Sequence, residues 1–155
     1  MNLDLMKKVV LVSGASRGLG KYIAQAFVDE DATVVINSRE QVQLEKTAAD
    51  INCAGYEIAD VIDVRQCEML ISRIIEKHGR LDILICNVGS STSVPDGEES
   101  ENEWRRMLDV NLLSAINLLT AAKEALITSK GVIVCVSSIC GSNVIKNAPI
   151  AYYEE

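Results

Sequence analysis

The sequence predicts a single α/β domain over residues 1–155, a parallel sheet wound with helices on both faces. Two observations carry that prediction. Short runs of consecutive Val, Ile and Leu alternate with longer amphipathic runs along the whole chain. The short runs are apolar at successive positions rather than at every second one, as strands buried on both faces require. Hydrophobic residues form 48% of the chain and charged residues 24%, which suffices for one core.

The elements follow in order. Lys8–Val12 reads as the first strand, with a helix over 18–29. Thr33–Ile36 is the second strand, with a helix over 39–52. Tyr56–Ala59 and Ile83–Cys86 are the third and fourth strands, separated by a helix over 64–78. A long helix over 101–129 leads to a fifth strand, Val132–Val136. Capping-box spacing marks three helix starts: Ser38 with Gln41, Asp63 with Gln66, and Ser100 with Glu103. The polar stretch Gly89–Ser100 follows a strand, so it is a loop at a strand's carboxyl end, where ligands bind in such sheets. In the long helix, Trp104, Leu108, Leu112, Ala115, Leu119, Ala122 and Leu126 form one apolar stripe, with Asn111 on it. Leu113, Ile116 and Leu118 extend the apolar surface, so more chain or a second subunit is expected to cover it.

A net charge of −7 argues against nucleic acid as a partner, since phosphate binding needs clustered Lys and Arg. No apolar run approaches the length of a membrane span, so no membrane partner is expected. Met1–Lys8 has no leader-like apolar stretch, and a cytoplasmic location is expected. Five cysteines without a Cys-x-x-Cys pair read as buried free thiols. His78, the one histidine, sits at a helix end before Gly79, where a cation suits the dipole.

Gly14-x-x-x-Gly18-x-Gly20 follows a strand and opens a helix. Glycines there permit a tight turn and close approach of a nucleotide, whose pyrophosphate meets free N–H groups at the helix N-terminus. The cofactor set from this loop is Gly14, Ser16, Arg17, Gly18, Leu19 and Gly20. After the second strand, Asn37 stands where an acid would bind a ribose 2′-OH, and Ser38 and Arg39 follow. Arg39 with Arg17 suits a 2′-phosphate, so NADP(H) is favoured over NAD(H), although Glu40 places an acid nearby.

Together with Asp60-Val61, Cys86-Asn87-Val88-Gly89, Asp109-Val110-Asn111-Leu112, Ser138-x-x-Gly141 and the Ala-Pro-Ile-Ala-Tyr run at 148–152, this loop resembles the short-chain dehydrogenase/reductase family. Ser13 stands for the family's threonine, and two of the Asn-Asn-Ala-Gly positions differ, Val88 being bulkier than alanine. The resemblance implies a Rossmann-like sheet of order 3-2-1-4-5, incomplete at its C-terminus. Asp60 and Val61 would contact adenine, and Asn87 and Gly89 would tie strands and approach the cofactor. Asn111 would hold a water in a proton relay, Ser138 the substrate oxygen, and Tyr152 would act as general acid, with Tyr153 as the alternative. Ser137, one residue nearer the strand, should point elsewhere. The implied activity is interconversion of a small-molecule ketone and alcohol by a homo-oligomer. The family's lysine, four residues after the tyrosine, has no position among these 155 residues. A nucleotide-binding fragment without turnover therefore stands beside the enzyme reading.

Overall fold

The computed structural model describes residues 3–90, 94–95 and 97–138. Five strands pair in parallel in the order β3-β2-β1-β4-β5. They are β1 Val9–Val12, β2 Thr33–Ser38, β3 Gly55–Ile58, β4 Ile83–Cys86 and β5 Val132–Cys135. The helices are α1 Gly18–Asp29, α2 Gln41–Ile51, α3 Val64–His78, α4 Glu101–Leu108 and α5 Ser114–Ser129, with a π-helical turn Asp109–Leu113 joining the last two.

Strand alternation sorts the core into two layers. Val10, Val12, Val34, Ile36 and Ile85 pack with Ala24 of α1 and Leu44 and Ile51 of α2. Val9, Leu11, Val35, Leu84 and Cys86 pack with Leu70 and Ile74 of α3 and Leu118, Ala122 and Leu126 of α5. Below the sheet, the buried Asp82 accepts from Val9 N–H (2.9 Å) and Arg80 Nε (2.8 Å), with Lys8 at 3.6 Å. Burial alone would raise this carboxyl, but Arg80, the Val9 N–H and Lys8 outweigh it and hold it below the usual range.

Several expectations need correction. The helix over 101–129 is broken in phase, not in path. Ser114 N–H bonds to the Asp109 carbonyl, five residues back, and the extra residue turns the following helix by about 100°. The core-facing positions are therefore Met107, Ser114, Leu118, Ala122 and Leu126, while Leu112 and Leu119 of the expected stripe stay exposed. Taken as one unit, Glu101–Ser129 is long and apolar enough to cross a membrane by length and composition, contrary to the sequence reading. Here it packs on α3 and the sheet.

α2 begins at Gln41 with Glu40 as its cap. Ser38 ends β2, and its hydroxyl accepts from Glu40 N–H (3.3 Å). Asp63 and Ser100 cap as expected, accepting from Gln66 N–H and Glu103 N–H. β5 is one sheet edge, but Ile133 and Val134 do not face the core; they point to opposite faces and are 40% and 44% exposed, α5 lying chiefly over β4 on the Ile133 face. Cys135 on that strand is likewise exposed, whereas Cys67 and Cys86 are buried; Cys140 lies outside the described residues. Burial, with the Cys135 thiol beside it, pushes Cys86 up to about 12. His78 ends α3 as expected, but burial and Lys77 lower its pKa and favour the neutral ring.

Candidate active site

The carboxyl ends of β1, β2, β3 and β4 enclose a cleft of about 410 Å³. The loop after β1 forms its floor. Ser13, fully buried, donates through Oγ to the Ile85 carbonyl (3.1 Å) and accepts from Asn87 N–H (3.0 Å). Asn87 Nδ2 returns two bonds, to the carbonyls of Ser13 and Gly14, both at 3.2 Å. β1 and β4 are thus laced together where the sheet opens. Thr47 of α2 secures the loop from the other side, donating to the Ser16 carbonyl at 2.6 Å.

Two glycines are required sterically. Gly14 has φ +62°, and a Cβ there would lie 3.1 Å from a Val88 methyl, so the bulk of Val88 is accommodated by the missing side chain opposite. At Gly20 a Cβ would come within 2.5 Å of both Asn87 Nδ2 and the Gly14 carbonyl. α1 starts with no side-chain cap and no acid in its first turn. Its first N–H groups and positive dipole end are left for an anion.

Asn37 is 1% exposed and does not read a ligand with its amide nitrogen. Nδ2 donates to the Glu57 and Ala59 carbonyls of the β3 side (3.0 and 3.1 Å). That orientation leaves Oδ1 buried without a partner among the described residues, and Asn37 lines the cleft. The loop 59–62 forms the facing wall. Asp60 N–H bonds to Gln66 Oε1 (2.8 Å), and Asp60 Oδ1 accepts from Ile62 N–H (3.1 Å). Cys67, its thiol raised to about 11 by burial, stays protonated and donates to the Val61 carbonyl (3.3 Å). Arg39 reaches Asp60 at 3.9 Å across the mouth of the cleft.

Of the residues picked from the sequence, Gly14, Ser16, Arg17, Ser38, Arg39, Asp60, Val61, Asn87 and Gly89 line this one cleft. Gly18, Leu19 and Gly20 form the adjoining first turn of α1. Asn111 sits in the π turn with its amide paired to the Ser90 backbone, accepting from Ser90 N–H (2.7 Å) and donating to its carbonyl (3.1 Å). The Asn111 side chain thus holds a cleft wall. Asn111 also lines a second, apolar groove of about 260 Å³, with Trp104, Leu112, Leu119 and Val136. Ser137 faces that groove, while Ser138 is half-buried and lines neither cavity. Tyr152 and Tyr153 lie outside the described residues.

Sequence reasoning missed Arg106 and Val110 of the cleft wall, and Thr47 beneath it. A signal for Arg106 existed in its place one turn before Val110 and Asn111.

Comparison with known proteins agrees with this geometry. The family model described as short chain dehydrogenase matches residues 8–153. A putative ketoacyl reductase of granaticin polyketide synthesis from Streptomyces violaceoruber is 37% identical over 139 residues, covering 86% of this chain and 56% of that protein. A short chain dehydrogenase structure from Mycobacterium smegmatis superposes with a TM-score of 0.90 at 30% identity, over 98% of this chain and 66% of that one. An alcohol dehydrogenase from Thermococcus sibiricus, solved with 5-hydroxy-NADP, gives 0.86 at 27% identity, over 94% of this chain and 64% of that one. The chain thus spans little more than half the length of the curated relative it matches. With the glycine loop, the laced β1 and β4 ends and the π-turn asparagine each at its motif position, and the family model running through all of them, this chain belongs to the short-chain dehydrogenase family.

Proposed function

We propose that the cleft binds NADP(H) and that the whole protein interconverts a ketone and a secondary alcohol. The observation that carries this reading is the cleft lined by Asn37, whose Oδ1 is buried without a partner among the described residues, beside the uncapped N-terminus of α1. Val61 N–H, in the facing wall, also has no protein partner among the described residues. A ligand with a heteroaromatic base at one end and a pyrophosphate beside it fits both features.

The preference for NADP(H) rests on charge. A carboxylate at the end of β2 would accept from a ribose 2′-OH. Here Asn37 occupies that position and is turned toward β3, and Arg17 and Arg39 line the same end of the cleft. Guanidinium groups pair well with a 2′-phosphate.

The nicotinamide, when bound, supplies hydride exchange. Tyr152 would donate a proton to the carbonyl oxygen, which requires a phenol pKa well below its usual value of about 10. Ser138 would donate to the same oxygen. Asn111 would act by fixing Ser90, and with it the wall of the cleft. Of these 155 residues alone we expect binding without turnover, because the lysine that lowers the tyrosine pKa in the family is not among them.

Fluorescence titration of the 155-residue chain with NADPH and NADH tests the binding reading. NADPH is expected to bind roughly tenfold or more tightly than NADH, the scale of one charge-assisted contact. Equal or tighter NADH binding would overturn the preference, and no binding of either would overturn the function. Robust Tyr152-dependent carbonyl reduction by this chain would overturn the expectation of silence.

A further inference from the structure

We propose that Asn117 is a positioning residue for the nucleotide, fixing the base-side wall of the cleft from a helix that does not line that wall. This rests on the dinucleotide reading of the cleft. Asn117 sits on α5, half-buried, and its Nδ2 donates to the carbonyls of Val61 (3.3 Å) and Ile62 (2.8 Å). Both residues line the cleft, but Asn117 does not.

The loop 59–62 is held at its N–H groups by Ser38, Gln66 and the Asp60 carboxylate, and at three of its carbonyls by side chains from other elements. It leaves β3 and enters α3 within five residues, between Ile58 and Val64, and among the described residues side chains donate to its carbonyls at 59, 61 and 62. Asn37 takes Ala59, Cys67 shares Val61, and Asn117 alone among the described residues takes Ile62. The Val61 N–H has no protein partner among the described residues. A nucleotide base needs that donor held in place.

Asn117 also completes a two-point anchorage. Six residues earlier on the same continuous helix, Asn111 grips the Ser90 backbone through both ends of its amide. Ser90 lines the same cleft. One helical element therefore grips the cleft lining at two places, Ser90 through Asn111 and residues 61–62 through Asn117. Asparagine is a poor helix former, so two such residues on one helix mark engagement with something outside it.

The test uses the full 155-residue chain with NADPH and with 2′,5′-ADP, which carries only the base-side half. Asn117→Asp removes the donor and sets a negative charge against two carbonyls; Asn117→Ala removes the contact neutrally and serves if the aspartate variant fails to fold. Affinity for 2′,5′-ADP is expected to fall by about tenfold in either variant, the scale of a lost buried hydrogen bond, and that for NADPH by the same factor. Asn117→Gln, which keeps an amide donor, should recover part of the loss. A lower melting temperature with both affinities unchanged would show a merely structural asparagine and overturn the proposal. If the unmodified chain binds neither ligand, the dinucleotide reading falls, and this inference falls with it.

Discussion

The two ends of the sheet are built on opposite terms. At the β2-β1 side, both strands are covered, the loops are laced by side-chain to backbone bonds, and one cleft opens at the strand ends, while the edge strand β3 leaves only Tyr56 and Ile58 among its side chains exposed, at 39% and 40%. At the β5 end, Val132, Ile133, Val134 and Val136 stand 37–55% exposed, beside exposed Leu112, Ile116 and Leu119. The first end is specified by hydrogen bonds that admit one arrangement. The second carries apolar surface with no pattern of its own to say what should lie on it. Binding geometry and chain association therefore reside in different parts of one small sheet, and they should respond separately to substitution.

The largest effect expected of that separation is on the covered side of α5. Leu118 is fully buried among residues of α3 and β4. Leu118→Ala should cost about 2–5 kcal/mol in chemical denaturation, the transfer loss plus the cavity left behind. A cost under about 1 kcal/mol would mean that α5 is not anchored to the core through this face.

Next comes the buried carboxylate beneath the sheet. Asp82→Ala leaves the Val9 N–H unpartnered at the start of the central strand and should cost about 2 kcal/mol at neutral pH. The sign with pH is set by the lowered folded-state pKa. The stabilisation is fully present above the unfolded carboxyl value of about 4 and is lost as pH falls through the folded value. The gap between parent and variant should therefore narrow below about pH 4. A gap that stays constant down to pH 2 would show that the carboxylate charge does not hold this corner.

The open end should behave in the reverse way. Ile133→Lys replaces an exposed apolar side chain on an edge strand, so it should change stability by less than about 0.5 kcal/mol. It should also reduce self-association in sedimentation velocity, because a lysine on an edge opposes strand addition. A large loss of stability would show that this residue packs into the core.

That reversal shows where the sequence was readable. All five strands were legible because consecutive β-branched residues have few other uses, and the strand order followed from the motifs. The glycine loop was legible because Gly14 and Gly20 have no tolerable substitute at their distances. The phase of the long helix was not. Periodicity assumes 3.6 residues per turn, and the π turn at Asp109–Leu113 breaks that count without any Pro or Gly to announce it. The side on which β5 is covered was also illegible, since Val132–Cys135 reads the same whether zero or two faces are buried. The bonds of Asn37, Asn111 and Asn117 to distant backbone could not be read either, because such partners, 20–56 residues away, leave no mark in local spacing.

The smallest expected effect lies at the mouth of the cleft, where the polar end meets solvent. Arg39 and Asp60 form an ion pair at 3.9 Å, with side chains 67% and 38% exposed. A pair so long and so hydrated contributes little to folding. It matters because Arg39 is also the guanidinium placed for a 2′-phosphate, so Asp60 competes with the ligand for it. Asp60→Asn keeps an oxygen to accept from Ile62 N–H, so the loop should hold its shape while the competing charge disappears. NADPH should then bind about twofold to threefold more tightly, the scale of an exposed pair, and NADH should be unchanged. The gain should fade as salt rises toward 1 M, where the screening length drops to about 3 Å. If Asp60→Asn instead weakens NADPH, the carboxylate is itself a ligand contact. The mouth of the cleft would then be as exactingly specified as its floor.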